Sequence, residues 1–169
     1  MNLETRVVFD CMIFLQAIVS DLGSSFACFE RVRSGEAKLL VSPEILFEVR
    51  DVLKRPKLRN KWPILDSPHP EDFLRAVEGL AEVFTNPAKA FPLPRDPDDE
   101  IYLDVAIEAA AEYLVTWNDR HLTYLMRQDT PEGRDFCARF PALKIVDPPT
   151  FLRETDALQS LNRPSNLPP

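Results

Sequence analysis

Four short apolar runs, each separated from the next by stretches of helical spacing, constrain this chain more than any other feature. They are RVVF at 6–9, KLLV at 38–41, YLVT at 113–116 and LKIV at 143–146. Runs this short, rich in β-branched and aromatic residues and bounded by turn formers, read as buried strands. Strands alternating with helices predict an α/β fold, a mainly parallel sheet with helices on both faces.

The intervening segments carry the helical signals. Phe26, Ala27, Phe29 and Val32 fall at helical spacing before Gly35 stops the run. Ser42-Pro43-Glu44 reads as an N-cap, a proline at the first helical position and an acid in the first turn. That helix is expected to continue to about Lys54 and to end at Pro56. Residues 63–70 read as a proline-broken loop, and residues 71–83 as a helix whose apolar stripe is Phe73, Val77, Leu80 and Val83. A proline-rich loop over 86–97 closes on RDPDDE, and IYLDVAIEAAAE (101–112) is expected to be helical. A short closing helix is expected over 151–158. There is no internal repeat, so one domain over residues 1–155 is expected, with residues 156–169 as a flexible C-terminal tail.

Composition narrows the chemistry. The 169 residues are 45% hydrophobic and 28% charged, which is ordinary for a globular chain with a sizeable core. No apolar run approaches the roughly 20 residues needed to span a bilayer, and the N-terminus lacks a secretion-signal layout. A cytoplasmic protein with no membrane partner is the expectation. Three scattered cysteines imply no disulfide framework, and two histidines outside any zinc spacing disfavour a structural zinc. A metal in this chain would therefore be held by carboxylates, which suits Mg²⁺ or Mn²⁺. The net charge of −7 opposes wholesale attraction to nucleic acid. The local exception is RDVLKRPKLRNK, where Arg50, Lys54, Arg55, Lys57, Arg59 and Lys61 face one acid, Asp51. It reads either as a solvated helix end or as a patch for RNA phosphates.

Acids from four segments stand where a parallel sheet places its ligands, beyond the carboxyl ends of the strands. Asp10 follows the first strand, and Glu48 lies one turn into the helix after the second. Asp98 and Asp99 open the helix that feeds YLVT, and Asp119 comes three residues after that strand. Clustered carboxylates repel and are costly to bury without a counter-charge, which a divalent cation supplies. Such a cation lowers the pKa of an attacking water and stabilises charge developing on a phosphodiester. Each acid also has a structural alternative. Asp98, Asp99 and Asp119 are in capping positions, and Glu48 alone would pass for an exposed helix residue. Asp10, ending an apolar strand, is the hardest to explain structurally.

In order along the chain, VVFDCMIFLQA, SPEILFEVRDVLKRP, RDPDDEIYLDVAIEAAAEYLVTWNDRHLTYLM and VDPPTFL resemble the PIN-domain family, and within it the toxin-like branch of bacterial toxin–antitoxin systems. The resemblance covers about residues 6–152. It implies a three-layer α/β/α sandwich, an Mg²⁺- or Mn²⁺-dependent endoribonuclease acting as a toxin on RNA, an antitoxin partner and a possible homodimer. Carried over, the first acid is Asp10, the second Glu48 and the third Asp99, with Asp98 as its neighbour. Ala106, seven residues after Asp99, matches the small residue of that helix. The family's fourth segment pairs two aspartates around one residue before a leucine. It aligns with Asp119-Arg120-His121-Leu122, His121 replacing the second acid, while a shift by one places Asn118 there instead. Thr116 would orient a ligand. Met12 stands where the family usually has Asn, a loss of a type that typically lowers metal affinity or activity about 10–100-fold. A PIN-like binding module without catalysis is therefore the alternative. An aspartyl-nucleophile phosphatase would need a second Asp at the position of Met12.

Overall fold

In the computed structural model, which describes residues 4–162, five parallel strands form the centre of the molecule. They are β1 (Thr5–Phe9), β2 (Ala37–Val41), β3 (Glu82–Val83), β4 (Tyr113–Val115) and β5 (Lys144–Val146). Their order across the sheet is β3-β2-β1-β4-β5. Val7, Val8 and Phe9 on β1 and Leu39, Leu40 and Val41 on β2 are all buried, as a sheet covered on both faces requires. Eight helices surround it: α1 (Cys11–Val19), α2 (Ser24–Arg33), α3 (Pro43–Leu53), α4 (Pro56–Lys61), α5 (His69–Glu78), α6 (Glu100–Glu108), α7 (Pro131–Arg139) and α8 (Pro148–Asn162). The expected three-layer α/β/α sandwich is what forms, with α2 packing on β2 and α8, and α6 lying against β1, β2 and β4.

Aromatic edge-to-face contacts tie the layers together. Phe9 meets Phe29 of α2 at 4.9 Å and Phe151 of α8 at 6.0 Å, and Phe29 goes on to touch Phe14 and Phe73. Each such pair adds about 0.5–1.5 kcal/mol beyond the area it buries. A second cluster, Phe91 with Phe136 and Phe140, fixes the proline-rich loop over α7. The same loop is fastened to α6 by carboxylates: Ala88 N donates to Glu108, Ala90 N to the buried Asp104, and Leu93 N to Glu100. This clamp holds residues 95–99 at the N-terminus of α6.

The chain departs from the sequence expectation in several places, each with a local cause. α3 stops at Leu53, and Pro56 opens α4 instead of ending α3, so the basic run is largely helical. Residues 63–66 form a 3₁₀ turn, and α5 begins at His69, with Pro70 in its first turn. α5 ends at Glu78; the chain then extends into β3, a two-residue edge strand too short to leave a periodicity. Leu80 and Val83, expected in the apolar stripe, are consequently exposed. The alanine run expected to prolong α6 ends it instead, because Ala110 adopts φ 51° and Ala111 N closes back on Ala106 O. α7 carried too few apolar residues to be read as a helix. α8 runs from Pro148 to Asn162, so residues 156–162, expected in the tail, are helical; residues 163–169 of that tail lie outside the described residues. No single helix among the described residues is long and apolar enough to cross a membrane.

Candidate metal centre

The sheet order creates the site. After β1 the chain adds β2 and β3 on one side and then crosses to place β4 and β5 on the other. The connections diverge between β1 and β4, the switch point where parallel sheets open a crevice beyond their carboxyl ends. Asp10 leaves β1 and Thr116 leaves β4 at that point, with Asp10 N donating to Val115 O at 3.2 Å.

Asp10 serves two structural roles at once. It is the N-cap of α1, its Oδ1 accepting from Met12 N at 3.0 Å and Ile13 N at 3.2 Å. Its Oδ2 accepts from the fully buried Thr116 hydroxyl. The side chain is only 5% exposed, and burial pushes its pKa from 3.8 up to about 6. The Thr116 hydroxyl and the two amides pull the other way, while the charge of Glu48 adds to the rise.

Glu48 projects from α3, half-buried. The phenol of Tyr102, on α6, donates to its Oε2 and accepts from Cys11 N at 3.2 Å. Tyr102 thus bridges three elements: α3, α6 and the start of α1. Burial raises the pKa of Glu48; the Tyr102 hydrogen bond and Arg55 oppose it, and Asp98 and Asp96 reinforce it. Burial also lifts the Cys11 thiol to about 12, so it stays protonated and is no nucleophile.

Asp99 closes the 3₁₀ turn Pro97–Asp99 at the N-terminus of α6. Burial, then the charges of Asp96 and Asp10, push it from 3.8 to about 7, with Glu48 adding and the Asn118 hydrogen bond subtracting. Asn118 Nδ2 donates to Asp99 Oδ2 at 2.7 Å, while Asn118 N donates to Thr116 Oγ1 and Asn118 Oδ1 caps His121 N. The turn after β4 therefore directs Asn118 inward. Asp119, the expected fourth acid, is exposed and instead lines a neighbouring cavity with Arg95, Arg120 and Arg127. Asp98 is exposed and acts on Glu48 only through its charge.

Two further groups complete the arrangement. His121 Nδ1 lies 2.9 Å from Asp96 Oδ2, and ligand atoms of Asp96, Asp99 and His121 all fall within 4.8 Å of one another, a set able to hold a metal ion. Glu48 Oε1 and Asp99 Oδ1 have no hydrogen-bond partner among the described residues, and no ion pair there neutralises Asp10, Glu48 or Asp99. Carboxylates whose protons are held by burial and mutual repulsion, with oxygens left open, are the donor set of a hard divalent cation. Sequence reading missed Tyr102 and Asp96. Tyr102 sits in an apolar helix where nothing marks its hydroxyl, and Asp96 had only its place in RDPDDE to signal it.

The basic run is placed differently from a free patch. Arg50 bonds Glu71 and Glu78 of α5, Arg55 pairs with Asp51 at 3.4 Å, and Arg59 with Asp66 at 3.3 Å. Lys54 and Lys57 are exposed, and Lys61 lies 4.3 Å over the ring of Trp62.

Comparison with known proteins agrees with this geometry. The PIN-domain family profile matches residues 6–120, from β1 through the turn that carries Asn118 and Asp119. No curated protein matches the chain with significant similarity. PIN domains are generally nucleases that use divalent metal ions and act on RNA or other nucleic acids. With its five-stranded parallel sheet, its carboxylates at the switch point and a profile match over most of its length, this chain belongs to the PIN-domain family.

Proposed function

We propose that the chain is a metal-dependent endoribonuclease hydrolysing RNA phosphodiester bonds, the cytoplasmic toxin of a toxin–antitoxin pair. The observation that carries this reading is that at the switch point the charge of Glu48 acts on Asp10 and the charges of both act on Asp99, with no ion pair to any of the three among the described residues. Asp10, Glu48 and Asp99 would hold Mg²⁺ or Mn²⁺, and Asn118, which donates to Asp99, would take the fourth position rather than the exposed Asp119. The bound cation would offset the carboxylates' charge, lower the pKa of the attacking water and stabilise charge on the phosphate.

The chain's own groups supply orientation. Thr116 and the amides of Met12 and Ile13 fix Asp10. Tyr102 fixes Glu48 through Oε2 and leaves Oε1 unbonded among the described residues, and Asn118 does the same for Asp99 through Oδ2, leaving Oδ1. Positions this tightly held are the preorganisation that metal-site chemistry requires.

The test is cleavage of RNA in Mn²⁺ or Mg²⁺ by the wild type and by Asp10→Asn, with growth arrest on expression and its relief by the product of a neighbouring reading frame. Cleavage and arrest by the wild type alone support the reading; equal activity in the variant refutes it. A second reading, a PIN-like module that binds without cutting, is favoured by Met12 at the exposed start of α1 and by the neutral Asn118 beside Asp99. It predicts no thermal stabilisation by millimolar Mn²⁺.

A further inference from the structure

Arg95, Arg120 and Arg127 reach one open cavity of about 540 Å³ from separate stretches of the chain, and Asp119, His121 and Tyr124 complete its lining. None of the three arginines forms an ion pair among the described residues, in contrast to Arg50, Arg55 and Arg59 of the basic run. In a chain of net charge −7, three unneutralised guanidiniums in one concavity are a departure that folding alone does not demand. Arg95 is held in place: its guanidinium lies 4.0 Å over the buried Tyr124 ring, and its Nη1 donates to Arg120 O at 3.5 Å. From that stacked position Arg95 lines the cavity, with guanidinium nitrogens besides Nη1 that have no partner among the described residues.

The cavity adjoins the carboxylates through one residue. His121 lines it and also lies within ligand distance of Asp96 and Asp99. Anything anionic seated among the arginines is therefore next to the metal-holding group.

We propose that this cavity binds the backbone phosphates of single-stranded RNA flanking the bond to be cut; the inference rests on the nuclease reading above and names its substrate track. Guanidinium forks match phosphate oxygens in bidentate geometry, and three of them grip a backbone without reading bases. Asp119 in the same lining sets the register by repelling a phosphate placed too close to it. An acidic protein segment would be drawn to the same arginines. It has no use for a cation at the neighbouring carboxylates, whereas a phosphodiester does.

The experiment measures binding of a fluorescently labelled oligouridine of about ten nucleotides to full-length Asp10→Asn protein in Mn²⁺, by anisotropy, between 50 and 200 mM KCl. Three phosphate contacts on a single strand give a log–log salt slope of about −2, so affinity should fall roughly twentyfold over that range. R120E/R127E, two exposed positions that leave the Arg95–Tyr124 stack intact, should lose at least about tenfold in affinity and flatten the slope. K54A/K57A in the basic run should leave both unchanged. Arg95→Ala should add a further loss, and Arg95→Lys should restore part of it by returning charge without the fork. The proposal is overturned if R120E/R127E, folded by circular dichroism, binds with the parent's affinity and slope. It is equally overturned if K54A/K57A removes the binding instead, if the parent shows no RNA binding, or if polyglutamate competes as well as RNA. RNA bound normally but not cleaved by the wild type would sink the nuclease reading and leave the cavity assignment standing. Cleavage that survives R120E/R127E with unchanged KM would do the reverse.

Discussion

Replacing Asp10 with Asn should stabilise the metal-free protein at pH 8, although Asp10 caps a helix. Asp10 is 5% exposed, and its pKa rises from 3.8 to about 6 on folding, chiefly through burial. Because the folded state holds this proton more tightly than the unfolded chain, the associated stability is intact below pH 3.8 and is lost as pH climbs through about 6. At about 1.4 kcal/mol per tenfold change in proton affinity, the full loss at pH 8 is about 3 kcal/mol. Asparagine carries no charge to bury, yet its Oδ1 still accepts from Met12 N and Ile13 N. Its Nδ2 replaces a hydrogen bond to Thr116 with one the hydroxyl must accept, at a cost of about 1 kcal/mol. The net expectation is a gain of about 1–2 kcal/mol at pH 8 in EDTA, shrinking to zero or reversing at pH 4.5. Urea unfolding of both proteins at the two pH values measures it. The difference between them cancels contributions from Glu36, Glu71 and Glu154, whose lowered pKa values act in the opposite sense. Millimolar Mn²⁺ should then favour the wild type, since metal at 100 times its Kd adds about 2.7 kcal/mol. A variant less stable than the wild type at pH 8 in EDTA, or a pH-independent difference, would refute the account of Asp10 as a charge held at a stability cost for a cation.

The other expectations concern its neighbours. Tyr102→Phe removes the donor to Glu48 and the acceptor of Cys11 N, so stability should fall by about 1–2 kcal/mol and Mn²⁺ affinity by about tenfold, read by urea unfolding and calorimetry. Asn118→Asp sets a second carboxylate beside Asp99 in place of the 2.7 Å amide bond; the metal-free protein should lose stability as pH rises through 7, while Mn²⁺ binding tightens. Arg50→Gln should cost about 1 kcal/mol by breaking the pairs with Glu71 and Glu78 but leave RNA affinity unchanged within twofold. Ala110→Gly relieves a φ of 51° in a non-glycine residue and should raise stability by about 1 kcal/mol in thermal unfolding.

How much of this was legible in the sequence depended on whether a residue's role follows from its own neighbours. β1, β2, β4 and β5 were readable because strands buried on both faces leave consecutive apolar residues. Ser42-Pro43 was readable because capping is local, and Ser42 Oγ does accept from Ile45 N at 3.2 Å. Asp10 stood out as an acid ending an apolar strand, but its structural use, capping α1 through Met12 N and Ile13 N, was not anticipated. By contrast, β3 is two residues long, and the turn at Ala110 breaks a run that alanine propensity favours as helix. Asn118 rather than Asp119 donates to Asp99, from a turn in which it also bonds Thr116, His121, Leu122 and Thr123. One residue's rotation there carries no sequence signal. Arg50 looked free because its partners, Glu71 and Glu78, lie more than twenty residues away.

Asn118 and His121, where the resemblance implies acids, would change what the site demands of a cation more than they change its shape. A carboxylate in place of Asn118 would add repulsion to a cluster in which Asp99 already sits near 7 because of its burial and of Asp96 and Asp10. The amide instead donates to Asp99 and stabilises its charged form. His121, where the resemblance implies a second acid, contributes a ring nitrogen 2.9 Å from Asp96 Oδ2. Fewer negative charges mean weaker attraction for a cation at long range, and a cation held by Asp96, Asp99 and His121 would gain a nitrogen ligand, which suits Mn²⁺ better than Mg²⁺. The same change lowers the barrier that the cluster presents to an incoming phosphate. With three arginines immediately beyond His121, the electrostatic gradient at the site runs from a moderated acidic centre to a basic rim. On the nuclease reading, a polyanion would meet the arginines of the rim before it reached the carboxylates.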